Sequence, residues 1–233
     1  MCIRDRGTTL GADCGIGMAA ALAVMLDETV EHGPVEALFT VDEETGLTGA
    51  FELGEGMLTG KYLVNLDSED EGEIFIGCAG GIDTIATFHY TMEPSPKNYT
   101  FFRVDVSDLQ GGHSGDDIDK GRVNSNKTVA RLLWDGMQSF ELKLCYFNGG
   151  NLRNAIPREA YAIFGVPVRF KEEFVKRYNL FAADLEAEFR FREPNFKITL
   201  NEMPHVDEVL DSRTQSALVY SLVGVPNLSL IHI

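Results

Sequence analysis

Four acidic residues in the first third of the chain are the side chains most able to do chemistry. Asp13 lies in a glycine-flanked loop that opens a predicted helix, Glu43 and Glu44 follow a predicted strand, and Asp67 follows the next one. In open α/β sheets, sites form where the strands end at their carboxyl ends, so these carboxylates are expected to converge. Converging carboxylates stay ionised only when a cation lies among them. Any one of these acids is also typical of a solvated loop; their shared type of position favours a divalent-metal site.

Neighbouring Glu43 and Glu44 could divide two tasks, because adjacent side chains point apart. One carboxylate could bind metal while the other acts as general base toward a metal-activated water. Carboxylate and imidazole ligands suit Zn²⁺, Mn²⁺ or Co²⁺, and one carboxylate can bridge two such ions. The sequence therefore predicts metal-assisted hydrolysis.

The segments around these residues are predicted to form an α/β layer that would position them. A run of Ala, Leu and Met predicts a helix over 16–27, since these residues are strong helix formers. Short apolar runs at 35–41 and 62–66 predict strands. A helix between strands favours a mostly parallel sheet.

The pattern changes after residues 80–81, where we place a domain boundary. Alternating or apolar runs predict strands at 82–90, 99–106, 142–147, 160–168 and 197–200, and helical spacing predicts helices at 124–140 and 172–191. This order is typical of an α+β domain with an antiparallel sheet.

Composition and charge limit the kinds of partner that this chain is expected to bind. With 20 Lys and Arg against 36 Asp and Glu, the net charge of −16 argues against nucleic acid and anionic membrane surfaces. The four cysteines form no metal or disulfide pattern, no apolar run could span a bilayer, and the first residues lack a signal-peptide core. We therefore expect a cytoplasmic protein.

Five collinear strings resemble the aminoacyl-histidine dipeptidases, carnosinase-like members of the di-zinc aminoacylase and carboxypeptidase superfamily. They are TTLGADCGIGMAAALAV, VDEETGLTGAF, LVNLDSEDEGEIFIGCAGGI, GGHSGDDI and FNGGNLRNAIPREA. The resemblance implies a partial metallopeptidase catalytic domain over 7–80 and a lid and dimerisation domain over 81–227. It also implies hydrolysis of Xaa-His dipeptides by a homodimer that carries two metal ions per site, most simply zinc.

Individual roles follow from matching positions. Asp13 matches the carboxylate that bridges both metals, Glu43 the general base, and Glu44 and Asp67 further metal ligands. His113 matches the lid histidine that reaches the substrate or oxyanion in the partner subunit. Asn154 lies in the lid loop associated with substrate binding.

Two expected ligands are missing. The family's first ligand is a His in an H-x-D motif upstream of the bridging Asp, and none precedes Asp13 here. The family's last metal ligand is a His near its C-terminus. His205 is expected to be a surface residue, and His232 lies in the terminal string 228–233, which is interpreted below as adapter sequence. This chain alone is therefore expected to be inactive.

The ends of the chain have an unusual relationship. Residues 1–6 (MCIRDR) and 228–233 (LSLIHI) can be encoded by one short DNA element and its reverse complement. We interpret both as translated adapter sequence and expect 7–227 to be an internal fragment.

Two alternatives stay open at this point. One is a related amide hydrolase, such as a tripeptidase or an N-acyl amino acid deacylase, because the sequence does not reveal side-chain preference. The other is a non-catalytic dimerisation or binding module, which the second half could be.

Overall fold

The computed structural model describes residues 14–68, 72–78, 80, 82–115 and 117–227, with the backbone alone described at 44 and 45. The chain divides into two compact units, residues 1–78 and 79–233. They are called unit 1 and unit 2. No helix within the described ranges is long and apolar enough to cross a membrane.

Unit 1 contains three helices among its described residues. They are α1 (Gly15–Leu26), α2 (Glu43–Gly46) and α3 (Thr48–Phe51). The helix predicted over 16–27 is confirmed by α1, whose Ala, Leu and Met residues favour helical backbone. Its preceding residue, Cys14, has a left-handed φ of 51°.

The parallel sheet predicted for unit 1 is not confirmed. Residues 35–41 and 62–66 form no strand ladder, and apolar side chains such as Tyr62, Leu63 and Val64 are exposed. A strand needs a neighbouring strand for its backbone hydrogen bonds. An apolar run predicts a buried segment, but it does not provide the neighbouring strand that a ladder of hydrogen bonds requires.

Unit 2 is built on a four-stranded antiparallel sheet. Its order is β4 (Lys143–Gly149), β6 (Ala160–Pro167), β2 (Tyr99–Ser107) and β7 (Lys197–Met203). The predicted antiparallel strands at 99–106, 142–147, 160–168 and 197–200 are therefore confirmed. The predicted strand at 82–90 is wrong, because these residues are irregular and their apolar side chains Ile82 and Ile85 are exposed.

Two short antiparallel pairs complete the strands described in unit 2. β1 (Met92–Pro94) pairs with β8 (Glu208–Leu210), and β3 (Gly112–His113) pairs with β5 (Ala155–Ile156). Single-turn 3₁₀ helices lie at Ile118–Lys120 and Val168–Phe170. None of these elements was predicted, because two- or three-residue strands carry no periodic signal.

The α-helices described in unit 2 are α4 (Ser125–Ser139), α5 (Lys171–Phe189) and α6 (Ser212–Gly224). The first two confirm the predicted helices at 124–140 and 172–191, while α6 was not predicted. Asn124 caps α4 by accepting a hydrogen bond from the Lys127 amide at 3.3 Å. Residues of α4 and α5 pack with Phe102, Val104 and Phe164 of the sheet in one hydrophobic core.

Candidate functional site

Glu43 begins α2 and lies in a tightly hydrogen-bonded turn. The preceding Asp42 has a left-handed φ of 57°, and its carbonyl accepts a hydrogen bond from the Leu47 amide at 2.9 Å. The Gly49 amide donates to the Val41 carbonyl at 3.1 Å, which folds α3 back against the residues before Glu43. A Cβ at Gly49 would lie only 2.6 Å from the Val41 nitrogen, so this close approach requires glycine. The turn leaves Glu43 exposed to solvent.

Asp67 lies beside the first turn of α1. A Cβ built at Gly17 would lie 2.9 Å from the Leu66 Cβ and 3.2 Å from the Leu66 carbonyl oxygen. The Asp67 amide donates to the Asn65 side-chain oxygen at 3.1 Å, which forms a local turn. The fold of unit 1 thus brings the first turn of α1, which begins two residues after Asp13 in sequence, next to Leu66, the residue before Asp67.

The predicted metal ligands do not form a complete set in the described structure. Asp13 and the Glu44 side chain lie outside the described residues, so their roles stay predictions. Within the described ranges, no three His, Cys, Asp or Glu side chains come together to hold a metal ion. Of the three predicted ligands, Asp67 alone has a described side chain, and its oxygen donors are of the type that divalent metals accept.

His113 and Asn154 are brought together by the short β3–β5 pair. His113 pairs with Ala155, the residue after Asn154, and the Ser114 amide donates to the Asn154 carbonyl at 2.9 Å. Both residues are exposed. Residues far apart in sequence are therefore adjacent on one surface of unit 2, which is what a shared substrate-binding role requires.

The His113 backbone and ring are both fixed by hydrogen bonds. The His113 amide donates to Asp117 Oδ2 at 2.7 Å, and the Gly115 amide donates to His113 Nδ1 at 3.1 Å. With Nδ1 as acceptor, the neutral ring carries its proton on Nε2. The ring can therefore present an N–H donor at Nε2.

Asp117 is a site residue that was not predicted from the sequence. Lys120 Nζ lies 2.6 Å from Asp117 Oδ1, and this hydrogen bond, followed by the one from the His113 amide, lowers the pKa of Asp117 below its ordinary value. The position of Asp117 four residues after His113 in GGHSGDDI was the available signal. An acidic residue just past a loop histidine can accept from that loop's backbone.

The other histidines and the buried cysteine of the described ranges offer no alternative site. His205 is exposed and meets Phe101 edge to face at 5.2 Å, as expected for a surface residue, and His32 and His89 are exposed as well. Burial raises the pKa of the Cys145 thiol to about 12, which keeps it protonated and unreactive at neutral pH.

The chain is similar in sequence to known proteins. No family model matches the chain. It is 42% identical over 225 residues to the cytosol non-specific dipeptidase of Escherichia coli, covering 97% of this chain and 46% of that protein. It is also 43% identical over 79 residues to an uncharacterized protein of Bacillus subtilis, covering 32% of this chain and 21% of that protein.

A solved structure extends the likeness to the fold. The crystal structure of aminoacylhistidine dipeptidase from Vibrio alginolyticus matches with a TM-score of 0.78 at 42% identity, covering 95% of this chain and 45% of that one. The chain thus spans about half the length of the relatives it matches. Over nearly its whole length, the predicted resemblance of this chain to the aminoacyl-histidine dipeptidases is confirmed.

Proposed function

We propose that a full-length protein containing this chain is a metal-dependent dipeptidase that prefers Xaa-His dipeptides. The observation that carries the proposal is the 42% identity over 225 residues to a dipeptidase of Escherichia coli. The Vibrio alginolyticus relative is named as an aminoacylhistidine dipeptidase, which supports the Xaa-His preference. The name of the Escherichia coli relative supports a cytosolic location.

Within that enzyme, Glu43 is assigned as the general base. Its carboxylate would accept the proton of the attacking water and pass it to the leaving amine. Asp13, Glu44 and Asp67 are assigned as metal ligands. Divalent metals would polarise the peptide carbonyl and lower the pKa of water.

In unit 2, His113 is assigned a catalytic role at the oxyanion and a role in substrate binding, and Asn154 is assigned to substrate binding. Their adjacency on the β3–β5 pair supports one shared subsite, and the Nε2–H tautomer of His113 can donate a hydrogen bond to a carbonyl or oxyanion. We propose that they act across a homodimer formed through unit 2. The net charge of −16 supports a small peptide rather than nucleic acid as the partner.

Substrate assays on the full-length protein test the proposal. We expect hydrolysis of carnosine and other Xaa-His dipeptides, with slower hydrolysis of tripeptides and N-acyl amino acids. Faster turnover of tripeptides or N-acyl amino acids would instead favour the alternative amide hydrolases. Absence of all three activities from a metal-loaded, folded protein would favour a non-catalytic dimerisation module.

The 233-residue chain alone is expected to be inactive and to bind metal weakly. It spans about half of each dipeptidase it matches, and no His precedes Asp13 in its sequence to supply the ligand of an H-x-D motif. Metal analysis after dialysis of the purified chain measures this directly. Two tightly retained zinc ions per chain would contradict the expectation.

A further inference from the structure

A buried carboxylate lies beneath the segment that carries His113. Glu193, in the turn between α5 and β7, is 1% exposed. An ionised carboxylate is costly to bury unless hydrogen bonds replace its water. Glu193 obtains two such bonds from backbone amides, from Gln110 to Oε2 at 2.7 Å and from Val123 to Oε1 at 3.1 Å.

Those two amides mark the ends of one loop, residues 110–123, which joins β2 to α4. Each oxygen of a single carboxylate therefore accepts from one end and ties the ends together. Hydrogen bonds to an ionised group are stronger than neutral ones. The Gln110 side chain also donates to the Arg192 carbonyl, so a second contact fastens the same end to the same turn.

The loop between these ends needs such support because its backbone is unusual. Gly111, Gly112 and Gly121 have φ values of +64°, +148° and +62°, which are conformations that side chains rarely adopt. Glycines at such positions leave the loop many conformations when it is not tied down. His113 lies three residues from the tied end at Gln110.

We propose that Glu193 is a positioning residue for His113, a role that rests on the proposed function of His113 at the oxyanion and in substrate binding. By closing the loop at both ends, the carboxylate holds the β3–β5 pairing and the Nε2–H tautomer of His113. Glu193 itself touches no substrate. Its removal should displace the ring without unfolding unit 2.

The test uses Glu193→Gln, which keeps the shape but replaces one acceptor oxygen with a donor. One loop amide then faces an NH₂ group and loses its acceptor. Glu188→Gln is the matched control, since Glu188 lies on α5 in an exposed ion pair with Arg131 at 3.0 Å. Glu193→Asp keeps the charge but is one methylene too short to reach both amides.

The first measurement needs no activity and is made on this chain by nuclear magnetic resonance. In Glu193→Gln we expect the Gln110 or Val123 amide to exchange with solvent at least about tenfold faster, and the His113 ring to average between tautomers. If the ring nitrogens of His113 keep their wild-type shifts in both Glu193 variants, the proposal is wrong. If neither variant folds, the amide exchange rates of the wild-type chain test the proposal instead. A common exchange rate for the amides of residues 110, 113 and 123 would show that the loop opens as one tied unit. Unrelated rates for these amides would contradict the proposal.

The second measurement is a double-mutant cycle in the full-length protein. Glu193→Gln should lower kcat by about 10- to 100-fold with little change in KM. In a protein that already carries His113→Ala, Glu193→Gln should cause no further loss of kcat, because Glu193 affects turnover only by positioning His113. Equal losses in both backgrounds, or no loss, would overturn the proposal. If the wild-type protein hydrolyses no peptide, the proposed function fails, and the resonance measurement alone decides the role of Glu193.

Discussion

At the scale of single residues, the two groups assigned to act on the substrate are held in different ways. Glu43 is placed by a short turn in which Asp42 and Leu47 both adopt left-handed backbone conformations. His113 is placed by hydrogen bonds with Asp117 and Gly115 of its own loop and by its strand pairing with Ala155, the residue after Asn154. Glu43, the proposed base, is thus placed by local backbone geometry, whereas His113 also depends on a partner distant in sequence.

Replacing Glu43 by Gln tests its assignment as the base. In the full-length protein, we expect Glu43→Gln to lower kcat by at least about 100-fold, because an amide cannot accept the proton. Metal content, measured by elemental analysis, should stay at the wild-type value. Glu52→Gln, at an exposed glutamate after α3, should leave both quantities unchanged. Wild-type turnover in the Glu43 variant would refute the assignment.

Gly112→Ala tests the backbone beside His113. The φ of +148° disfavours any side chain, and a Cβ there would overlap with the Asp117 carboxylate that accepts the His113 amide. We expect a loss of about 1–3 kcal/mol in the free energy of unfolding, measured by urea denaturation of this chain. Gly224→Ala, where a Cβ meets nothing within 4 Å, should cost nothing. Equal effects of the two substitutions would contradict this expectation.

At the scale of elements, one aromatic side chain of α5 packs directly against the rings of the sheet. Phe174 is 1% exposed, and its ring lies 5.5 to 5.6 Å from the rings of Phe102, Phe140 and Phe164. Such contacts add to the free energy of burying the ring. One residue therefore links α5 to two strands and to the end of α4.

Phe174→Ala should remove about 3–5 kcal/mol from the free energy of unfolding, because truncation leaves a cavity that the sheet cannot fill. Chemical denaturation followed by far-ultraviolet circular dichroism measures the change. Phe191→Ala is the control, since that ring is 82% exposed, and it should change stability by less than about 0.5 kcal/mol. A small loss in the Phe174 variant would show that α5 is held mainly elsewhere.

The start of α6 should make stability depend on pH. Hydrogen bonds from Thr214, Arg213 and Thr91 lower the pKa of Asp211 to about 2 from its ordinary 3.8. Because the folded pKa lies below the unfolded one, this stabilisation is present above pH 3.8 and is lost as pH falls toward 2. Asp211→Asn, which keeps a capping oxygen, should match wild type near pH 2 and be less stable near pH 6.

Urea denaturation midpoints measured from about pH 2 to about pH 7 provide the comparison. Asp207→Asn, at an exposed aspartate just before β8, should follow the wild-type curve throughout. A constant difference between Asp211→Asn and wild type at every pH would show that the carboxylate charge makes no contribution.

At the scale of the whole molecule, the hydrophobic core belongs to one unit. All buried hydrophobic side chains of the described residues lie between Phe101 and Val219, in unit 2. Unit 1 exposes long apolar runs, with Tyr62 93% exposed and Ile74 92% exposed. Among the described residues, the buried apolar side chains that stabilise a fold therefore belong to unit 2.

Hydrogen exchange followed by mass spectrometry should reflect this difference. In the isolated chain, peptides from 14–68 are expected to exchange within seconds, while peptides from β2, β6 and α4 stay protected for much longer, because local opening costs least where few apolar contacts form. The same chain should also bind a dye specific for exposed apolar surface. Protection of residues 35–41 and 62–66 equal to that of β2 would contradict this expectation.

The sequence alone predicted what depends on local pattern. Helical composition placed α1. Periodic spacing placed α4 and α5, and alternation placed the strands of the antiparallel sheet, because these elements of unit 2 face a core that the same pattern encodes. The ordered motifs also indicated the resemblance that the comparisons confirmed.

The tertiary structure decided what depends on distant partners. It brought Asn154 beside His113 through a two-residue pair, placed Asp117 on the His113 amide and put the buried Glu193 under both ends of that loop. It also left the apolar runs at 35–41 and 62–66 without a ladder. The physical reason is the same in each case: a hydrogen bond or a strand pair needs two partners, and a local pattern describes only one of them.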